Sequence, residues 1–119
     1  MCTAAIEKLG LCTFDRTLRL MSFGFRHGTP RWSDTDILID ASDRPTYRVK
    51  YPHDSREMQP RDVFHIVNRR MATINPFKSE LRVNVGCEFG NRESVDMVRW
   101  LESRPWRGGW NIETIHRDV

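Results

Sequence analysis

Three lysines among nineteen basic residues, three cysteines and two tyrosines are the scarcest features of this 119-residue chain. Cys2, Cys12 and Cys87 are odd in number and form no CxxC pair, so neither a disulfide framework nor a zinc site is expected, and free thiols fit a reducing cytoplasm. No uninterrupted apolar run approaches the length of a membrane span. The opening MCTAAIEKLGLC carries Glu7 and Lys8 within a short apolar stretch, which is not the pattern of a signal peptide, and a cytoplasmic protein with no membrane partner is expected. Repeats and low-complexity segments are absent, and with 39% apolar and 29% charged residues the chain is expected to form one soluble domain with a core of its own.

The scarcity of lysine is the reverse side of an arginine excess, sixteen of the nineteen basic residues, within a net charge of +3. The planar guanidinium suits bidentate phosphate contacts and stacking on bases. Nucleic acid is therefore one reading of this composition, and codon usage in a GC-rich genome is another.

The most informative stretch is residues 81–103, LRVNVGCEFGNRESVDMVRWLES. Leu81, Val83 and Val85 alternate with Arg82 and Asn84, the period of a strand with one covered face. Past Gly86, Cys87 and Gly90 the period changes: Val95, Val98 and Leu101 fall at three-residue spacing with Met97, as on the buried side of a helix. Asn91 is the expected N-cap. Strand, glycine loop and helix start together make an anion site, because the first amides of a helix lack partners and carry the positive end of its dipole. An ordinary strand-to-helix connection with no ligand has the same pattern. A P-loop is excluded, since Gly86 and Gly90 are one residue too close and Asn91 stands in the lysine position. A phosphatase-type cysteine is excluded too, since Glu93 occupies the position six after Cys87 where arginine belongs, and Glu88 and Glu93 oppose the thiolate.

Elsewhere, residues 17–25 (TLRLMSFGF) read as a first strand with Ser22, Arg26 and His27 at its exit. Ile37, Leu38 and Ile39 form a short buried strand that exits at Asp40. Residues 41–59 show no period and are expected to be a long loop. A helix begins near Pro60, with Phe64, Val67, Met71 and Ile74 as its core stripe and Arg61, Arg69 and Arg70 off it. RPWRGGW (104–110) is a turn whose tryptophans either stack bases around Arg107 or cap the core. Residues 110–116 alternate as a last strand ending in His116 and Arg117. Ligand-binding groups collect just past the carboxyl ends of strands in open α/β sheets, and Arg26, His27, Asp40, the loop after Val85 and His116 all hold such positions.

SFGFRHGTP (22–30), DILIDA (36–41) with Pro45, GCEFGNRESV (86–95) and IHR (115–117) occur in the order seen in the C-terminal domain of RapZ, the bacterial RNase adapter family, and the resemblance covers about residues 18–119. It implies an α/β single domain with a small mainly parallel sheet flanked by helices, which binds RNA and an amino-sugar phosphate, glucosamine-6-phosphate, and forms a homo-oligomer. The implied ligand site is Ser22, Arg26, His27, Asp40, Gly86, Cys87, Gly90, Asn91, Arg92, Ser94 and His116. From the arginine-rich surfaces, RNA contacts are expected at Arg44, Arg48, Arg69, Arg70, Arg107 and Arg117, and no metal or cofactor is expected. The family loop reads GCTGGxHRS; Gly86, Cys87, Gly90 and Ser94 match it, whereas Glu88, Phe89, Arg92 and Glu93 replace threonine, glycine, histidine and arginine. A carboxylate about 6 Å from a phosphate costs about 2–3 kcal/mol at an effective dielectric near 20. That exceeds the ~0.3–1 kcal/mol of a surface helix dipole, so the orientation of Glu88 and Glu93 decides whether the site is open to an anion. Three functions compete: a non-enzymatic regulatory binding module; a phosphoester or sugar-phosphate enzyme with His27 or His116 as acid or base and Asp40 orienting it; and an interaction protein whose pocket is filled by Phe89.

Overall fold

The computed structural model describes residues 16–119; Cys2, Cys12 and the opening stretch with Glu7 and Lys8 lie outside the described residues. The chain runs β1 (Arg16–Gly24), β2 (Ile37–Asp40), β3 (Arg48–Tyr51), α1 (Pro60–Thr73), β4 (Glu80–Cys87), α2 (Glu93–Glu102) and β5 (Trp110–His116), with short 3-10 turns at Phe25–His27 and Trp32–Asp34. The five strands lie in the order β3-β2-β4-β1-β5. Strands β2, β4, β1 and β5 are mutually parallel, and only the edge strand β3 is antiparallel to its neighbour. The expected α/β domain with a mainly parallel sheet and flanking helices is what forms.

Alternation along each strand decides which side is covered. Leu18 and Leu20, Ile37 and Ile39, and Leu81, Val83 and Val85 all turn to one face, where Val63, Val67 and Met71 of α1 and Met97, Val98 and Leu101 of α2 close the core. Both helices thus cover the same side of the sheet. On the other side the connection from β1 to β2 passes over β4, tied down by polar bonds. Asp36 is the anchor: its carboxylate takes the Lys78 ammonium, the Arg82 amide at 2.8 Å and Arg82 Nε at 3.2 Å, while Asn84 donates to Thr35 Oγ1 at 2.8 Å. Asp36 and Asn84 are buried, so these bonds offset the cost of taking polar groups out of water.

Three local expectations change. Residues 41–59 contain a strand: β3 pairs with β2 through Ile39–Val49 and Asp40–Arg48, and a Tyr47–Met58 bridge closes the segment over the core. Four residues between prolines display too little period for the pattern to register in sequence. In α1 the fully buried stripe is Val63, Val67 and Met71; Phe64 lies beside it against Trp106, ring centroids 4.8 Å apart. The N-cap of α2 is Arg92, with no side-chain cap, and Asn91 sits exposed in the loop. The tryptophans of the 104–110 turn go to the core: Trp106 and Trp110 pack against it, and Trp106 Nε1 donates to the Leu101 carbonyl at 2.8 Å. No helix of the described residues is long and apolar enough to cross a membrane.

Candidate functional site

Parallel strands bring their carboxyl ends to one edge, and the register fixes which residues meet there. Asp40 pairs with Gly86, Gly24 with Cys87, and Ser22 with His116. Ligand residues expected from positions 22–27, 40, 86–94 and 116 therefore share this edge, although they divide into two groups.

The first group joins β1 to β5. Ser22 Oγ lies 2.8 Å from His116 Nδ1. Ser22 is fully buried and His116 half-buried, so this polar contact ties β1 to β5 across the sheet at a partly exposed edge. Beyond it the Arg117 amide donates to the Ser22 carbonyl at 3.0 Å, and the Gly24 amide donates to Asp118 Oδ2 at 2.8 Å. Arg117 wraps Asp118 with Nη2 to Oδ2 at 2.8 Å and also reaches the Gly28 carbonyl. The Arg117 guanidinium beside it holds the Asp118 carboxyl below the ordinary carboxylate value; burial opposes this, and the Gly24 amide and His27 add to it. Asp118 carries no sequence signal, because nothing beyond the last strand announces that the chain folds back onto the end of β1.

The second group is the loop from β4 to α2. The Cys87 thiol donates to Ser94 Oγ at 3.1 Å and accepts the Gly90 amide at 3.2 Å; with Cys87 and Ser94 both buried, the cysteine staples the loop to the first turn of α2. Gly90 has φ +79, and a Cβ there would stand 2.4 Å from the Gly24 amide nitrogen. This contact demands glycine on both counts and locks the loop onto β1.

Glu88 does not face a hollow. Its carbonyl accepts the Arg26 amide at 3.0 Å, and its carboxylate pairs with the Arg26 guanidinium at 2.9 Å. Phe89 is 50% exposed with Arg26 Cζ 5.5 Å from its ring centroid, so its ring plugs no pocket. Glu93 opens α2, half-buried, in the turn where a carboxylate complements the helix dipole. His27 and Arg92 are exposed. Asp40 is partly spent locally, accepting the Ser42 amide at 2.9 Å. What remains at the edge is the N-terminus of α2, whose leading amides have no intrahelical acceptor and no side-chain cap.

Of the arginines expected to contact RNA, Arg44 is paired with Asp96 at 2.7 Å and Arg48 with Glu57 at 2.9 Å, and Arg117 is held as described. Arg69, Arg70 and Arg107 are exposed, and no carboxylate among the described residues lies within ion-pair distance of them. Arg69 and Arg70 border a cavity at the opposite end of the sheet, together with His53 and Arg56; the sequence shows these four as scattered charges.

No family model matches the chain. Over 126 aligned positions covering 87% of its length, it is 29% identical to a nucleotide-binding protein of Methylococcus capsulatus. Proteins of the same description from Acinetobacter baylyi and Limosilactobacillus reuteri are 25% and 26% identical over 86% and 88% of the chain. The chain spans only 40–42% of the length of these three relatives. With SFGFRHG, the loop glycines and the strand-exit register all in place, the chain is a distant relative of these RapZ-family proteins, and the stretch it shares with them is consistent with one domain of theirs.

Proposed function

We propose that this domain is a non-enzymatic binding module with a regulatory role, taking a small anion of the sugar-phosphate type at the carboxyl edge of β2, β4, β1 and β5. The observation that carries this reading is the uncapped N-terminus of α2 at that edge, held by a loop whose backbone is fixed through Gly90 on Gly24 and Cys87 on Ser94. The sequence-level objection, the two acidic substitutions, is weakened by the geometry. Arg26 neutralises Glu88, and Arg92 restores a cation next to the helix start.

Titration with glucosamine-6-phosphate, and with inorganic phosphate as the bare anion, is the direct test. Binding that shifts the amide resonances of residues 91–95 is expected. The Glu88→Gln variant should bind several-fold tighter, because a carboxylate leaves the edge and Arg26 is released toward the anion. Amides 91–95 that do not respond at millimolar concentrations of either compound would remove the reading.

RNA contact belongs to the same proposal through the arginines, with Arg69, Arg70 and Arg107 its least encumbered groups. An acid–base enzyme using His27 or His116 is the competing reading, favoured by the 2.8 Å contact of Ser22 and His116. It requires that His27→Ala or His116→Ala abolish turnover of a phosphorylated sugar, whereas the binding reading expects no turnover to lose.

A further inference from the structure

The cavity opposite the strand-exit edge is built differently from it. Ile37 at the start of β2, Val49 of β3 and Ile66 of α1 form an apolar floor, and the connection after β3 brings Pro52, His53, Asp54 and Arg56 over it. Arg69, Arg70 and Thr73, from the last turns of α1, close the other side. The volume is about 300 Å³, at the lower end of small-ligand sites. Arg56, Ile66 and Arg69 continue into an adjoining hollow with Asp62 and His65.

Charge within this cavity is not balanced. Asp54 is its carboxylate, and Arg56 occupies both oxygens, Nε to Oδ1 at 3.0 Å and Nη2 to Oδ2 at 2.8 Å. The paired guanidinium keeps that carboxyl down at about 2, so it stays ionised and bound to Arg56. Arg69 and Arg70 are then left beside the cavity with no carboxylate partner among the described residues, at the C-terminal end of a helix over an apolar floor. The larger hollow on the helix-free side, lined by Arg19, Arg31, Arg82 and Arg117, is a weaker candidate, because Arg19, Arg82 and Arg117 each hold a carboxylate of the protein.

We propose that this cavity is a second ligand site, which takes an organic phosphate with its flat apolar part on Ile37, Val49 and Ile66 and its phosphate on Arg69 and Arg70. Guanidinium forks match phosphate oxygens bidentately, and the apolar floor favours an ester over the bare ion. No residue of the strand-exit site takes part, so the two sites stand or fall separately. The phosphate comes either from a free phosphomonoester, largely dianionic at neutral pH, or from the monoanionic diester of a nucleotide within single-stranded RNA; both offer non-bridging oxygens to a guanidinium fork.

Phenyl phosphate is the probe, followed by the methyl resonances of Ile37, Val49 and Ile66 in the full chain. It is expected to shift all three and to bind more tightly than inorganic phosphate. An Arg69→Ala/Arg70→Ala variant should bind about a hundredfold more weakly, the scale of one charge-assisted hydrogen bond lost at each arginine. Asp54→Asn, which removes the carboxylate and frees Arg56, should tighten it. A single-stranded oligoribonucleotide that displaces the probe would identify RNA as the source; one that leaves it bound would identify a free ester. Methyl resonances unmoved at millimolar phenyl phosphate, or undiminished affinity in the double arginine variant, would overturn the proposal.

Discussion

One buried carboxylate and one glycine hold more of this structure than their neighbours do. Asp36 is buried with Lys78 and Arg82 on its carboxylate. Burial raises its pKa, but the Lys78 bond, the Arg82 amide and the Arg82 guanidinium together outweigh burial and leave it below the ordinary 3.8. Asp36→Asn leaves that pair of cations without their counter-charge, and a loss of about 3 kcal/mol is expected in urea unfolding. The sign of the pH effect follows: a lowered folded pKa gives stability that is present in full above 3.8 and is lost as pH falls from there through the folded value. The acid limb of the stability curve should therefore be shallower in Asp36→Asn than in the parent protein. Gly90→Ala meets both a left-handed backbone and the Gly24 amide nitrogen, and should cost about 2–4 kcal/mol. An unchanged unfolding midpoint in Gly90→Ala would show that the loop is not seated on β1.

At the scale of elements, the helices owe their positions to the sheet and their ends to local chemistry. α1 starts at Pro60, and Asp62 Oδ2 accepts the Gln59 amide at 2.9 Å. Asp62→Ala should lower stability by about 1 kcal/mol, read as a fall in melting temperature of several degrees. α2 has no equivalent side-chain cap, which is the feature that suits an anion there. It is fastened instead by the Cys87–Ser94 bond and by the burial of Val95, Met97, Val98 and Leu101. The edge strand β3 is held from outside itself: the β2 ladder, the Tyr47–Met58 bridge and the burial of Val49 supply what its four residues lack.

For the molecule as a whole, the placement of charge matters more than its sum. The formal net charge is only +3, and much of the arginine is consumed in pairs such as Arg44–Asp96, Arg48–Glu57 and Arg26–Glu88. RNA binding, if carried by the remaining arginines, releases few counterions. The slope of log affinity against log salt should be about −2 to −3, at ~0.7–0.9 for each neutralised phosphate. It should become shallower in Arg69→Ala/Arg70→Ala. A flat salt dependence would exclude phosphate contacts as the basis of binding.

Alternating apolar residues in β1, β4 and β5, the three-residue spacing in α2 and the proline at the head of α1 are local facts, each set by the chemistry of a few adjacent residues. For that reason these elements, their order along the chain and the α/β class were legible in the sequence. The SFGFRHG and GCEFGNRES motifs likewise marked the strand exits as the place to look. The insertion of β4 between β1 and β2 had no local signature, nor did the edge strand β3, the fold-back of Asp118 onto Gly24 or the cavity beneath Arg69 and Arg70. Each depends on groups far apart in sequence, brought together only when the sheet pairs and the core closes. Residue types likewise cannot show the direction of Glu88: alone its carboxylate repels an anion, and pairing with Arg26 across 62 positions neutralises it.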